Sequence, residues 1–359
     1  MESKNEDFTV RESKNGKSII SQNYNSVFNK NSGFSARWGK SPSDDPEFCE
    51  FGPEIADIEI SEICHGINNI PCKFCYKSNT GDGNNMSLET FKIIFDKFPK
   101  TLTQIALGIG DIDSNPDLWK IMDYCKNNRK NEVIPNVTIN GWNLTDEYAQ
   151  KLKQYCGAVA VSKYSPKDVC YDAVKKLTDL GMTQINIHML VSEETFNDCL
   201  QTIKDAKEDQ RLKHLNAIVF LMLKPKGRGS NLTKISKENY KTIIDLALEM
   251  KINFGMDSCS ASSFLEVVKD KDNYAQLYQM VDSCESTLFS IYINSKGMMF
   301  PCSFTEGLSD WEGVDVTNCS DFLEDIWNSS EAVKFRNMVL NNKCEKIGCN
   351  KCPIYKLEL

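Results

Sequence analysis

Histidine is scarce in this sequence. Only His65, His188 and His214 occur in 359 residues, too few and too scattered to build a histidine-rich metal site. No apolar run is long enough to cross a bilayer as a helix. The opening residues, Met1-Glu-Ser-Lys-Asn-Glu-Asp-Phe8, lack the apolar core of a secretion signal, so the expected compartment is the cytoplasm. Nor is there an excess of positive charge. Lys and Arg number 42 against 50 Asp and Glu, and the net charge of -8 argues against nucleic acid as the main partner, a local basic groove aside. With 41% hydrophobic and 26% charged residues, the chain has ordinary soluble composition and enough length for a large core and more than one domain.

Cysteine, by contrast, is abundant, at 15 residues. In a chain this long with no secretion signal, clustered cysteines bind metal or react more often than they pair as disulfides. The densest group is Cys64-His-Gly-Ile-Asn-Asn-Ile-Pro-Cys72-Lys-Phe-Cys75-Tyr76, spaced C-x7-C-x2-C. Three thiolates this close can hold three corners of a cubane iron–sulfur cluster and leave one iron without a protein ligand. An open coordination position marks a metal site that does chemistry. Two plainer readings stand beside this one. A zinc knuckle would need a fourth ligand, and only His65 is near, awkwardly adjacent to Cys64. Three ordinary buried cysteines would not need to cluster. An exposed cluster would be oxygen-sensitive and would call for an anaerobic or strongly reducing cytoplasm.

Residues 1–50 are polar, rich in Asn, Ser and Lys, and without a sustained period, which predicts a partly irregular N-terminal arm. Within it, the stretch 32–39, with Phe34, Arg37 and Trp38, reads as an extended segment packed on the rest or as a cover for a site mouth. From residue 54 the pattern changes. Alternating apolar and acidic residues at 54–60 predict a strand, and the cysteine loop leaves its C-terminal end. A helix follows, with Ser87 as N-cap and Leu88, Phe91, Ile94, Phe95 and Phe98 on one face. Further strands are expected at 103–107, 134–139, 158–161, 184–190 and 216–223, each followed by a helix. Six such units argue for parallel strands with right-handed crossovers, an α/β fold of the partial (β/α)6, TIM-like barrel kind, with working loops at the strands' C-terminal ends. The expected division is an arm over 1–50, a barrel over 51–260 and a small cysteine-rich domain over 261–359.

That last domain carries a second constellation. Cys284 and Cys302 frame Gly297 as C-x12-G-x4-C, a hairpin with thiols at its base, and Cys349 and Cys352 add C-x2-C, with Cys344 just before. Four thiolates in two pairs fully ligate one cluster or one zinc, and ligand type alone does not separate the two. Cys49, Cys125, Cys156, Cys170, Cys199 and Cys319 read as buried small hydrophobes. Cys259 lies in a loop after a strand-like stretch, 252–256. It is either a hydrogen-atom or proton donor to substrate, and hence a candidate catalytic residue, or a packed thiol.

A three-cysteine loop after the first barrel strand, with Phe74 just before the final cysteine, resembles the radical S-adenosylmethionine (SAM) superfamily. The usual spacing there is C-x3-C-x2-C, and the first gap here is longer. The resemblance implies a [4Fe-4S] cluster on Cys64, Cys72 and Cys75 with SAM on its open iron. It also implies SAM contacts at the strand ends. Gly108-Ile109-Gly110-Asp111 stands where the superfamily has a Gly-Gly-Glu-Pro-like segment that meets the methionine amino group, without the Pro. Asn140 lies in Thr138-Ile139-Asn140-Gly141, similar to a Thr-Asn-Gly segment of the third strand. Ser162 and Lys163 fall where ribose and carboxylate contacts lie, His188 alternates with Asn186 on the fifth strand, and Arg228 follows the sixth as a carboxylate partner. Satisfied core groups, or for Arg228 a solvated loop, are the bland alternatives.

The C-terminal cysteines resemble the twitch domain, a shortened SPASM domain. This implies one auxiliary [4Fe-4S] cluster on Cys284, Cys302, Cys349 and Cys352, with Cys344 as a substitute. The implied activity is reductive cleavage of SAM to a 5′-deoxyadenosyl radical that takes hydrogen from substrate, fed by a reductase or flavodoxin-type donor. The substrate expected is a peptide or protein side chain. A small-molecule alcohol or nucleotide is the alternative, and a non-catalytic zinc or electron-transfer protein is the rival of another class.

Overall fold

Ten strands form one continuous sheet that wraps around a polar interior. The computed structural model describes residues 2–4, 8–128, 130–342 and 351–359. Ahead of that sheet lie five short antiparallel strands in sequential order: β1 (Glu2–Lys4), β2 (Phe8–Glu12), β3 (Gly16–Ser21), β4 (Asn25–Asn29) and β5 (Ser35–Trp38). This corrects the irregular arm expected over 1–50. The strand alternation is present but disguised. On β3 the inward positions are Lys17 and Ile19, while Ile20 faces out at 39% exposure. Buried Lys17 donates to the Leu102 carbonyl at 2.6 Å and to Asn131 Oδ1 at 2.8 Å, which satisfies an ammonium that would otherwise be costly inside.

This small sheet sits at the N-terminal end of the barrel strands. Tyr24 donates to Glu54 at 2.8 Å, Arg37 pairs with Glu54 and Glu285 at 2.7 Å each, and Phe8 stacks on Phe51 at 4.3 Å. The segment at 32–39 is therefore packed on the barrel at the end remote from the cysteine loop.

The barrel alternates as the periodicity predicts. Its elements are β6 (Ile55–Glu59), α1 (Leu88–Phe95), β7 (Gln104–Gly108), α2 (Leu118–Asn127), β8 (Ile134–Ile139), α3 (Asp146–Tyr155), β9 (Val159–Ser162), α4 (Lys167–Asp179), β10 (Ile185–Val191), α5 (Phe196–Glu208), β11 (Ala217–Met222) and α6 (Lys237–Glu249). All neighbouring strands pair in parallel. Ser87 caps α1 by accepting from Thr90 N–H at 3.1 Å, and Thr145 and Ser236 do the same for α3 and α6. Phe91, Ile94 and Phe95 of α1 are buried against the outward residues of the strands. Each such side chain contributes about 1.5–3 kcal/mol of transfer free energy. Inward positions are polar or small, including Asp57, Glu59, Asn136, Thr138, Asn186 and His188.

The sheet extends past six strands on both edges. β12 (Phe254–Met256) pairs in parallel with β11, and α7 (Ala261–Val268) packs on α6 with every residue but Glu266 buried. The division expected at 260/261 thus falls inside a packed helix pair. Beyond α8 (Tyr274–Tyr278), β13 (Ser290–Ile293) pairs in parallel with β6, and β14 (Met298–Phe300) and β15 (Val314–Asp315) follow antiparallel. The C-terminal hairpin is therefore an extension of the barrel's own sheet. α9 (Ser330–Asn341) covers it, and Trp327 is fully buried beside that helix with Nε1–H donating to the Cys49 carbonyl at 2.8 Å. Among the described residues no helix is long and apolar enough to cross a membrane.

Candidate active site

The cysteine loop leaves β6 at the C-terminal mouth of the barrel. Its long first gap folds as a closed excursion. Ile67 and Ile70 pair across a two-residue turn, with Ile70 N–H donating to Ile67 O at 3.0 Å. Asn68 (φ 54) and Asn69 (φ 59) both take the left-handed conformation that a type I′ turn requires. Gly66 (φ 78) stands where the chain departs, and a Cβ there would lie 2.1 Å from Ile70 O and 2.9 Å from Pro71 Cα. Gly66 and Pro71 therefore meet in space. With residues 67–70 set aside, the backbone runs Cys64-His65-Gly66-Pro71-Cys72-Lys73-Phe74-Cys75, a C-x3-C-x2-C path.

Three strand ends close around this path. Asp111, after β7, is buried, and its Oδ2 accepts from His65 N–H at 2.7 Å and lies 2.9 Å from His65 Nδ1. Its Oδ1 accepts from Asn140 Nδ2 at 2.8 Å, and Cys64 Sγ lies 3.6 Å away. Gly110 leaves the space that Cys64 fills: a Cβ on it would lie 2.7 Å from Cys64 Sγ. Gly108 packs similarly against Glu59 Cα, at 3.2 Å from where its Cβ would be. From the loop after β11, Arg228 donates through Nε to Cys72 O at 2.7 Å, through Nη2 to Asn79 O at 2.9 Å, and through its backbone N–H to Cys75 O at 3.0 Å. With these contacts it clamps the loop backbone. Asn115 holds the loop's entry, donating to Ile60 O at 2.6 Å and Met86 O at 3.0 Å.

Ser162 and His188 are register partners facing the interior. Burial lowers the His188 pKa to about 4, with Asp257 opposing, so the ring is neutral at pH 7. Lys163 follows Ser162 directly and turns the other way. Its backbone N–H donates to His188 O at 2.8 Å, and its charge acts on Cys170 and Cys199 in α4 and α5. Tyr164 is a residue that the sequence pattern does not single out. Its phenol lies within electrostatic reach of Ser162 and of all three loop thiols, and its ring tilts on Phe74 at 5.0 Å. Only its position two residues past a strand end hints at this.

Burial pushes the Cys64 thiol up to about 12, with Asp111 adding to the effect, and the Cys72 thiol up to about 11, with Cys75 adding. A bound iron cation would reverse this balance and hold the thiolates ionised. The crowding of three thiols, the Gly110 cradle and a lone-pair-rich Asp111 all suit a cluster with a small amine ligand. Among the described residues no three Cys, His, Asp or Glu side chains converge as a single metal ion would require.

In the C-terminal region Cys284, Cys302 and Cys352 lie within electrostatic reach of one another. Cys352 Sγ accepts from Tyr355 N–H at 3.4 Å. Cys344 and Cys349 lie outside the described residues. Cys259 lies near these C-terminal thiols. It lies beside the Lys224–Asp257 ion pair and in reach of Cys284 and Cys302, and burial raises its pKa well above the usual thiol value.

The model of the Radical SAM superfamily matches residues 58–247, more than half of the chain. A second model, for an iron–sulfur cluster-binding domain (SPASM), matches residues 284–353. Comparison with curated proteins finds no match. Among solved structures, the chain is similar to Streptococcus suis SuiB bound to precursor peptide SuiA, at 12% identity and a TM-score of 0.66, covering 94% of this chain and 90% of that one. It is similar to the same protein bound to S-adenosylmethionine, at 13% identity and a TM-score of 0.66, covering 96% and 92%. Native anSMEcpe with bound AdoMet and Cp18Cys peptide follows, at 14% identity and a TM-score of 0.59, covering 85% and 91%. At these identities the likeness is one of fold.

Proposed function

The chain belongs to the radical SAM superfamily, and from that premise we propose that it modifies a side chain of a peptide or protein substrate. It is an enzyme, and its cofactors are SAM and [4Fe-4S] clusters. The observation that carries the site assignment is the closed excursion at Gly66, which returns an unusual spacing to a C-x3-C-x2-C path. When bound, the reduced cluster supplies one electron that splits the sulfonium bond of SAM into methionine and a 5′-deoxyadenosyl radical, which takes a hydrogen atom from substrate.

The protein's own part is to bind, orient and exclude. Cys64, Cys72 and Cys75 hold the cluster, and Cys284, Cys302, Cys349 and Cys352 hold the auxiliary one. Asp111 would accept from the methionine amino group through lone pairs not used by His65 and Asn140. Asn140, Ser162 and Tyr164 line the wall beside it, and neutral His188 offers an acceptor or donor deeper in the interior. The electron comes from a reductase or flavodoxin-type donor in a reducing cytoplasm. A peptide substrate is supported by the shared fold of structures solved with peptides, SuiB with SuiA and anSMEcpe with Cp18Cys.

The test is anaerobic. The chain with dithionite and SAM should form 5′-deoxyadenosine, and Cys72→Ala and Cys75→Ala should abolish it. Deuterium from a labelled substrate peptide should appear in the 5′-deoxyadenosine. A colourless, zinc-loaded chain that leaves SAM intact would refute the assignment.

A further inference from the structure

The two cysteine loops touch through the residues that immediately follow them. Tyr76, one past Cys75, stacks on Phe304, two past Cys302, with ring centroids 4.5 Å apart and planes 29° from parallel. Lys77, the next residue, forms ion pairs with Glu306 and, at 3.0 Å, with Glu59, and donates to the Tyr292 hydroxyl at 2.7 Å. Tyr292 OH lies 3.0 Å from a carboxylate oxygen of each of those two acids. Asn294 secures the second oxygen of Glu306 at 2.8 Å. The loop after β11 grips both sides of this junction. Lys226 Nζ donates to Ser303 O at 2.9 Å and Glu306 O at 2.6 Å, and Arg228 N–H donates to Cys75 O.

Lys77, Glu59 and Glu306 expose only 12%, 7% and 21% of their side chains. Charges buried to this degree add little net stability, because desolvation offsets their attraction. What such a network does is fix one geometry and penalise others. Here it fixes the position of the Cys302 loop against the Cys75 loop. The stack and the ion pair lie on consecutive residues, so neither loop can shift without breaking both.

We propose that Lys77, assisted by Tyr76, is a positioning residue that couples the two metal sites. Through it, filling of the C-terminal cysteine site sets the geometry of the N-terminal site and its affinity for SAM. The inference rests on the cluster assignment above. By linkage, SAM bound at the N-terminal site must favour an ordered C-terminal site to the same degree.

The experiment uses the full chain, reconstituted anaerobically with iron and sulfide. It reads iron per chain and the low-temperature EPR spectrum of the reduced protein as SAM is titrated. Emptying the C-terminal site with Cys284→Ala and Cys302→Ala should raise the SAM concentration for half-maximal spectral change about tenfold, a typical coupling between sites. Lys77→Met should do the same while iron stays at the parent level, and Lys77→Arg should recover much of the loss. Combining Lys77→Met with the two cysteine changes should add nothing. If Lys77→Met does not fold, Glu306→Gln removes the same ion pair at nearly constant shape. The coupling is overturned if these variants stay within about twofold of the parent, or if their effects multiply as those of independent sites do. A parent chain that takes up no iron would instead overturn the cluster assignment.

Discussion

Gly66 and Ile70 lie back to back, so close that a single methyl group on Gly66 would meet the Ile70 carbonyl oxygen at 2.1 Å. The contact separates two functions of the loop. The path through Gly66 and Pro71 carries the thiols, and the excursion 67–70 does not. Deleting residues 67–70 should therefore leave iron per chain at the N-terminal site unchanged. It should lower the melting temperature, because the buried Ile67 side chain contributes about 1.5–3 kcal/mol. Gly66→Ala should do the reverse and lose iron, since φ 78 and the Ile70 contact both exclude a Cβ. Iron analysis and visible absorption of the two variants decide it.

Much of this loop was legible before the fold was known. Three cysteines after a strand pattern are a local signal, whereas the long first gap reads only as a departure from the usual spacing, and its closure at Asn68-Asn69 shows in the structure alone. The helices of the barrel were equally legible, because Ser87, Thr145 and Ser236 announce their starts. The rest depends on non-local pairing. The N-terminal sheet hides because its inward face carries Lys17, whose partners Leu102 and Asn131 lie far along the chain. The second partner of β6, besides β7, is β13, more than 230 residues on, and no periodicity points from one to the other. Tyr164, Lys77 and Glu306 gain their roles only when loops from distant strands converge.

The interior holds two groups whose titrations oppose each other. His188 is held neutral, its pKa lowered to about 4 by burial, whereas the unfolded chain binds that proton near 6.5. Its contribution to stability is present above pH 6.5 and is lost as pH falls towards 4. Asp57 faces the barrel interior, and desolvation raises its pKa to about 6 with Glu285 adding. The folded state then binds the proton more tightly, so Asp57 favours folding at low pH and loses that contribution as pH rises from 3.8 to about 6. Urea midpoints at pH 4.5 and 7 should show His188→Gln less acid-labile than the parent and Asp57→Asn more so. Equal pH dependence in all three proteins would refute both assignments.

Arg228 is the side chain that fastens the cysteine loop to the far side of the barrel mouth. Arg228→Ala removes two charge-assisted hydrogen bonds, to Cys72 O and Asn79 O, each worth about 1.5–3 kcal/mol. Chelator-driven release of iron should speed up at least about tenfold, and SAM should protect less. Arg228→Lys should recover only part, because an ammonium cannot span both carbonyls in a plane. A release rate equal to the parent's would show that the loop holds its shape without this clamp.

Asp111 serves the loop and the proposed ligand with one carboxylate, and a swap with Asn140 separates the two. In Asp111→Asn the amide oxygen can accept from His65 N–H, but its NH2 then faces the NH2 of Asn140. Two donors without an acceptor cost about 1–3 kcal/mol, so this variant should lose both iron retention and SAM affinity. Adding Asn140→Asp turns the pair around, since the amide at 111 can now donate to a carboxylate at 140. The loop contact returns, and iron retention should return with it. SAM affinity should stay low, at least about tenfold below the parent, because the negative charge has moved off the position that meets the amino group. Iron analysis and SAM titration of the parent, the two single variants and the swap provide the check. If the swap restored both properties together, Asp111 would be a loop-ordering residue alone, and the ligand's amino group would have to find its acceptor elsewhere on the strand ends.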